Sequence, residues 1–263
     1  MTEWTRVFFD DFPASADVDR GKWTSPVWTP NDNKAFLGRT GIRNPKDFKG
    51  SQVGLIPCTS EFGADLRFST YNPEAIPPSS AFLGAEISTV QKWGGNGQKV
   101  KFEATVSALG TAPGTVLSVF AYALCSNAGR AQNEIDFEFA ANYFNDVDSH
   151  KPYPYLTNVF VCKGGAGDAP VIQDTSFFFA AWNTFTIIYT PSQSVEWLIN
   201  GQQVRFDKVH VPDLRMSGGM SLYMNFWAPQ SNWGWAYNAN LQPSGAPGQE
   251  WHYYVKDAAV FYG

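Results

Sequence analysis

Residues Asn133–Ala140 read Asn-Glu-Ile-Asp-Phe-Glu-Phe-Ala, and acidic and apolar side chains alternate through them without a break. Glu134, Asp136 and Glu138 fall on one side, and Ile135, Phe137 and Phe139 fall on the other. A period of two is that of a β-strand with one face in a core and one outside it. The apolar face needs no further account. The acidic face is costly, because Asp and Glu are poor strand formers and like charges two residues apart repel. An edge strand kept soluble by negative charge would share the pattern, but a solvated face normally mixes in Thr, Lys or Ser. The three carboxylates are therefore read as functional.

Glycoside hydrolysis is the chemistry that wants this arrangement. One carboxylate must be ionised to attack the anomeric carbon, and a second carboxyl must be protonated to release the leaving oxygen. The two sit about 5–5.5 Å apart when configuration is retained. A third carboxylate between them can hydrogen-bond the nucleophile and separate the neighbouring pKa values. Residues four apart on a flat strand are about 13 Å apart at Cα, so the outer side chains have to lean inward on a curved, twisted sheet.

The rest of the chain fits one all-β unit. A length of 263 residues suits a single large domain spanning residues 1–263. A net charge of −5 without a Lys/Arg-rich run argues against nucleic-acid binding. Aromatic content is 16% with 10 Trp, part core and part flat surface for a sugar ring to pack on. Cys58, Cys125 and Cys162 have no metal-ligand spacing and allow one disulfide, with the pair left open. The opening Met1–Val7 has no basic-then-apolar leader pattern, and no run reaches membrane-spanning length. No membrane partner is expected.

Val7–Phe12 reads as an early strand, followed by an irregular stretch from Lys22 to Gly50 around a short Gly38–Arg43 segment. A loop of that length is expected to wall a cleft. Tyr71–Ser80 is polar and Pro-rich, a surface loop. Phe82–Ser88 leads into the Gly94-Gly95-Asn96-Gly97 turn, and Val100–Leu109 alternates cleanly. Val116–Leu124 is apolar on both sides and reads as a buried strand. Leu156–Cys162, Thr184–Thr190, Val195–Ile199, Gln203–Phe206, Met220–Trp227 and Tyr253–Tyr262 read as further strands, with Asn200-Gly201 a strong hairpin signal. No helix beyond a turn or two is expected. Strand, Gly/Pro turn and strand at this spacing indicate an antiparallel sandwich.

Glu134-Ile135-Asp136-Phe137-Glu138-Phe139 resembles the catalytic strand of the family 16 glycoside hydrolases in its unbulged E-x-D-x-E form. Bacterial mixed-linkage β-glucanases (lichenases) and plant xyloglucan-active enzymes carry that form, whereas laminarinases, agarases and carrageenases usually carry one more residue before the last Glu. The resemblance covers Phe82 to Tyr262 well and the first eighty residues loosely. It implies a β-jelly-roll sandwich of two curved antiparallel sheets with a carboxylate-lined groove on the concave face. It implies Glu134 as nucleophile, Asp136 as the assisting carboxylate and Glu138 as general acid/base.

Further roles follow from the same resemblance. Glu86 matches a Glu that bonds a donor-side glucose, although Ser88 stands where lichenases have Arg, and Gln132 where they have Trp. Phe120 and Tyr122 match donor-side aromatics, and Asn158 and Phe160 match an Asn and an aromatic of a cleft strand. Met224-Asn225-Phe226-Trp227 resembles Met-Asn-Leu-Trp, which gives Asn225 a polar role and Trp227 a sugar-stacking role; Trp233 and Trp235 lie on the loop after it. Asp257 aligns with an Asp that helps hold a structural calcium, and no cofactor is required for catalysis. His150, His210 and His252 receive no catalytic role.

The activity this implies is a retaining endo-β-glucanase on β-1,3-1,4-glucan, acting as a secreted or periplasmic monomer on a polysaccharide. A xyloglucan or other β-glycan hydrolase or transglycosylase is the alternative within the family. A non-catalytic lectin-like jelly roll is the alternative outside enzymes.

Overall fold

The computed structural model describes residues 3–15, 17–26, 38–42, 58–59, 62–108, 110–125, 132–143, 153–162, 170–175 and 179–263. Its strands are β1 (Thr5–Asp10), β2 (Trp23–Thr24), β3 (Thr40–Ile42), β4 (Cys58–Thr59), β5 (Gly63–Ser69), β6 (Phe82–Thr89), β7 (Val100–Ala108) and β8 (Val116–Leu124). They continue with β9 (Gln132–Ala140), β10 (Tyr153–Phe160), β11 (Val171–Thr175), β12 (Asn183–Thr190), β13 (Ser194–Ile199), β14 (Gln202–Asp207), β15 (Ser221–Trp227) and β16 (Glu250–Tyr262). Among the described residues there is no α-helix, only short 3-10 turns such as Leu214–Ser217.

The strands form two layers. One sheet runs in the order β11-β10-β9-β8-β15-β6, and the other β5-β16-β7-β12-β13-β14 with β1 added on β16. The layers join where β5 meets β6 at Ser69–Leu83. All these pairings are antiparallel; β3, parallel to β6, is the exception among the described strands. Packing of inner faces explains why the sheets close on each other. Ile135, Phe137, Phe139, Leu117, Val119, Leu222, Met224 and Phe226 from the first sheet share one core with Phe102, Val106, Phe185, Ile187, Trp197, Tyr253 and Val255 from the second. This is a β-jelly roll of the expected kind.

Most strands expected from pattern are present within a residue or two. The Asn200-Gly201 hairpin joins β13 and β14, with both residues at positive φ, 52° and 80°. That is the backbone a two-residue hairpin loop with right-handed twist needs. Strand β8 is apolar on both sides because one face enters the core while Ser118, Phe120 and Tyr122 floor a groove. Its last residue, Leu124, is 55% exposed. Strands β5 and β11 have no counterpart in the sequence reading. Of the Lys22–Gly50 stretch, residues 27–37 and 43–50 lie outside the described residues, and so does His150.

Cys125 and Cys162 form a disulfide with Cα atoms 5.9 Å apart, across 37 residues of sequence. Cys125 directly follows β8 and Cys162 closely follows β10, so the bond ties together the two neighbours of β9 at the Glu134 end. Cross-linking a loop of this length stabilises by about 4 kcal/mol in the chain-entropy account. We expect the Cys125→Ser/Cys162→Ser double variant to unfold at clearly lower urea concentration. An unchanged midpoint would show that the bond does not constrain the unfolded chain.

Candidate active site

Strand β9 carries the acidic face, and its neighbours set what surrounds it. Glu134 lies opposite Tyr122 on β8 and Phe160 on β10; Asp136 opposite Phe120 and Asn158; Glu138 opposite Ser118 and Leu156. Beyond β8, Tyr223 and Asn225 on β15 face Phe120 and Ser118, and Ser88 and Glu86 on β6 face Tyr223 and Asn225. The outward side chains of five strands thus make rows across one face. The result is a groove with the three carboxylates between two recesses.

The first recess, about 310 Å³, is lined on the β8–β15–β6 side by Glu86, Phe120, Tyr122, Tyr223, Asn225 and their neighbours. Phe120 and Tyr223 stack with centroids 4.9 Å apart, and Tyr122 meets Tyr223 edge-on at 5.5 Å. Asn225 Nδ2 donates to Glu86 Oε2 at 3.0 Å. Asn225 Oδ1 and Ser118 Oγ are buried with no hydrogen-bond partner among the described residues. Leaving such oxygens unpaired costs roughly 1–3 kcal/mol each, so the recess suits a ligand rich in hydroxyl donors.

The second recess, about 380 Å³, is more apolar, with Leu156, Phe160, Ile172, Trp233 and Trp235 beside Asn158 and Asn232. Trp227 lines the first recess but is only 2% exposed, its ring stacked on Trp233 at 5.6 Å. It backs Trp233 rather than offering an open ring face. Among the described residues lining either recess there is no Lys, Arg or His.

Burial in this acidic groove pushes the Glu134 carboxyl up to about 7. Hydrogen bonds from Asp136 and Gln132 oppose the rise, and the charge of Glu86 adds to it. The Asp136 bond favours the Glu134 anion. The Tyr122 and Tyr223 phenols are also raised, first by burial and then by nearby carboxylates; Tyr223 reaches about 12.

The sign of the linkage is set by that raised value. Stability from the folded state's tighter hold on the proton is full below the unfolded value of 4.5 and is lost as pH rises through about 7. The loss is on the order of 2 kcal/mol after allowing for water in the groove. Glu134→Gln therefore melts higher than the native chain at pH 7.5, and the difference disappears by pH 4. Parallel melting curves at both pH values would contradict this.

The core holds β9 from behind. The Trp197 indole N–H donates to the Asp136 carbonyl at 3.0 Å, and the Arg205 guanidinium lies over the Trp197 ring at 4.4 Å. Arg205 also donates to the Thr157 carbonyl on β10 at 2.8 Å and pairs with Asp207 at 2.9 Å. The buried Tyr253 hydroxyl donates to the Ser118 carbonyl at 3.2 Å. At the head of the strand, Asn133 donates to Asp213 O and Ser217 Oγ and accepts from Cys162 N, at 2.9, 3.1 and 2.9 Å. These bonds fix the backbone from which the carboxylates project.

Every binding residue named from sequence lies in the groove: Glu86, Phe120, Tyr122, Asn158, Phe160, Asn225, Trp227, Trp233 and Trp235. Sequence reasoning missed Tyr223, although it precedes Asn225 by two on the same face. It also missed Ser118, Leu156 and Ile172, which carry no sequence signal beyond strand phase. His210 and His252 lie elsewhere, bonded to Asp207 and Asp65.

Residues 79–251 match the family model described as glycosyl hydrolases family 16. The chain belongs to that family. Solved structures with this fold include a lichenase (β-1,3-1,4-glucanase) derived from a mouse hindgut metagenome, 19% identical with a TM-score of 0.67, each chain covered to 97%. Bacillus licheniformis β-glucanase is 20% identical with a TM-score of 0.66, covering 97% of this chain and 96% of that one. A Mycobacterium tuberculosis antigen described as a pseudo β-1,3-glucanase is 14% identical with a TM-score of 0.67, covering 98% and 99%. No curated protein matches the chain. At these identities the structures speak for the fold; the residues of the groove speak for the chemistry.

Asp257, the expected calcium ligand, is half-buried on β16 and accepts from the Thr105 hydroxyl at 2.8 Å. Burial raises its pKa; the Thr105 hydrogen bond and the charge of Lys256 oppose the rise, and the charges of Glu103 and Asp11 add to it. A hard divalent cation would relieve that repulsion. The described residues hold no cluster of three acidic, His or Cys side chains.

Proposed function

We propose that this family 16 chain is a retaining endo-β-glucanase acting on mixed-linkage β-1,3-1,4-glucan. The observation that carries the reading is the row Glu134, Asp136, Glu138 on a groove floor with a recess on either side. A chain that binds through both recesses places an internal linkage over the carboxylates, which supports endo cleavage. Glu134 attacks the anomeric carbon while Glu138 protonates the departing oxygen; Glu138 then takes a proton from water, which releases the sugar from Glu134. Asp136, between them, hydrogen-bonds Glu134 and tunes it.

Four carboxylates with no cation among the described lining residues favour a neutral polymer over a sulfated or uronic one. The solved relatives described as lichenases share the fold and support the glucan choice. The disulfide supports an exported, oxidised setting. A binding-only role has a precedent in the pseudo-glucanase relative, but a lectin has no need to hold three carboxylates together at such cost. Incubation with barley mixed-linkage glucan, laminarin, xyloglucan and agarose tests the assignment. Oligosaccharides released fastest from the mixed-linkage polymer support it; products longer than the substrate would indicate transglycosylation, and retention without cleavage a lectin.

We propose, too, that calcium binds at Asp257 and stabilises the fold by binding only the folded chain. Millimolar calcium should raise the melting temperature of the native chain and not that of Asp257→Asn. Equal responses would place any calcium elsewhere.

A further inference from the structure

Gln132 has no part in the scheme above, yet it touches the residue at its centre. It lies two positions before Glu134 on β9, faces the groove and lines the same recess as Glu86 and Tyr122. Its Nε2 donates to Glu134 Oε2. From this geometry we infer that Gln132 is a positioning residue whose amide anchors Oε2 of Glu134 and favours its carboxylate form. The inference rests on the nucleophile role proposed for Glu134.

An amide N–H can only donate here, and it bonds an anionic oxygen more strongly than a neutral carboxyl. The groups facing Glu134 make such a donor necessary. Asp136 follows it on the same face of β9 with Glu138 beyond, Tyr122 comes from β8, Tyr223 from β15 and Glu86 from β6, while Phe160 on β10 is apolar. Among the described residues none of these groups is cationic, and Glu86 opposes ionisation. Of the two described side chains that hydrogen-bond Glu134, Asp136 donates only while it holds its proton. Gln132 donates at every pH. It also fixes one carboxylate oxygen. The Gln at this position, where lichenases carry Trp, thus replaces a ring by a permanent dipole.

Gln132→Met keeps length and burial but removes the donor, and Gln132→Glu keeps the shape but adds an acid. Glutamates labelled with ¹³C at Cδ are titrated by NMR in the native chain and both variants, with Glu134 assigned by its absence in Glu134→Gln. We expect the Glu134 midpoint to rise by about one pH unit or more in Gln132→Met, and further in Gln132→Glu. The acid limb of kcat/KM on mixed-linkage glucan should move by the same amount, with activity largely recovered at higher pH. A midpoint that stays within roughly 0.3 unit of the native value in a folded variant overturns the inference. The NMR titration needs no turnover, so it separates two failures. A shifted midpoint in a protein that cleaves no glucan leaves the Gln132 contact standing and removes the nucleophile role. If Gln132→Met does not fold, the isosteric Gln132→Glu carries the same measurement.

Discussion

Glu134→Gln lowers kcat/KM on β-glucan by at least about 10⁴-fold, because an amide cannot form the glycosyl ester through which retention proceeds. The fold survives: Glu134 projects into the groove, and the opposite face of β9 supplies the core through Ile135, Phe137 and Phe139. The same substitution raises stability at neutral pH, since it removes a carboxylate that burial and Glu86 disfavour. Lost activity with gained stability is the signature of a residue held for chemistry. A loss below tenfold would sink the nucleophile assignment. Asp136→Asn retains a hydrogen-bond donor toward Glu134 and falls less, since Asp136 tunes the nucleophile and forms no bond to the sugar.

Glu138→Gln removes the proton donor for the leaving oxygen and the base for water. General acid–base help contributes about 10²–10⁴-fold, and loss of that order is expected on the polymer. Leaving-group chemistry distinguishes this loss from that at Glu134. A dinitrophenyl β-glucoside of suitable length departs without protonation, so Glu138→Gln should form the glycosyl-enzyme on it at near-native speed and then stall. Added azide, which needs no deprotonation, should release it as a β-glycosyl azide. Glu134→Gln should show neither burst nor rescue. Identical behaviour of the two variants would mean that acid and nucleophile have not been told apart.

The carboxylate strand was legible because it bears two independent patterns at once, an apolar alternation that fixes its phase and an acidic one that nothing structural requires. The resemblance of Met224–Trp227 to a lichenase strand placed Asn225 and Trp227 in the groove, and strand phase should have added Tyr223. The short β11 reads Val-Ile-Gln-Asp-Thr, with weak alternation, whereas β5 was overlooked although Ala64, Leu66 and Phe68 alternate with Asp65, Arg67 and Ser69. Their pairing with β10 and β16 makes them strands. The Cys125–Cys162 pair depends on β8 and β10 flanking β9, a tertiary fact. The burial of Trp227 beneath Trp233 is a tertiary fact of the same kind. A Trp at the end of a groove strand looks open until the following loop folds Trp233 over it.

The central claim is that Glu134 and Glu138 cleave an internal glucan linkage by double displacement. Proton NMR of barley mixed-linkage glucan during the first minutes of hydrolysis tests it most directly. Double displacement releases the β-anomer of the new reducing end first, and the α-anomer follows only by mutarotation. An α-anomer appearing first would show inversion and contradict the covalent role of Glu134.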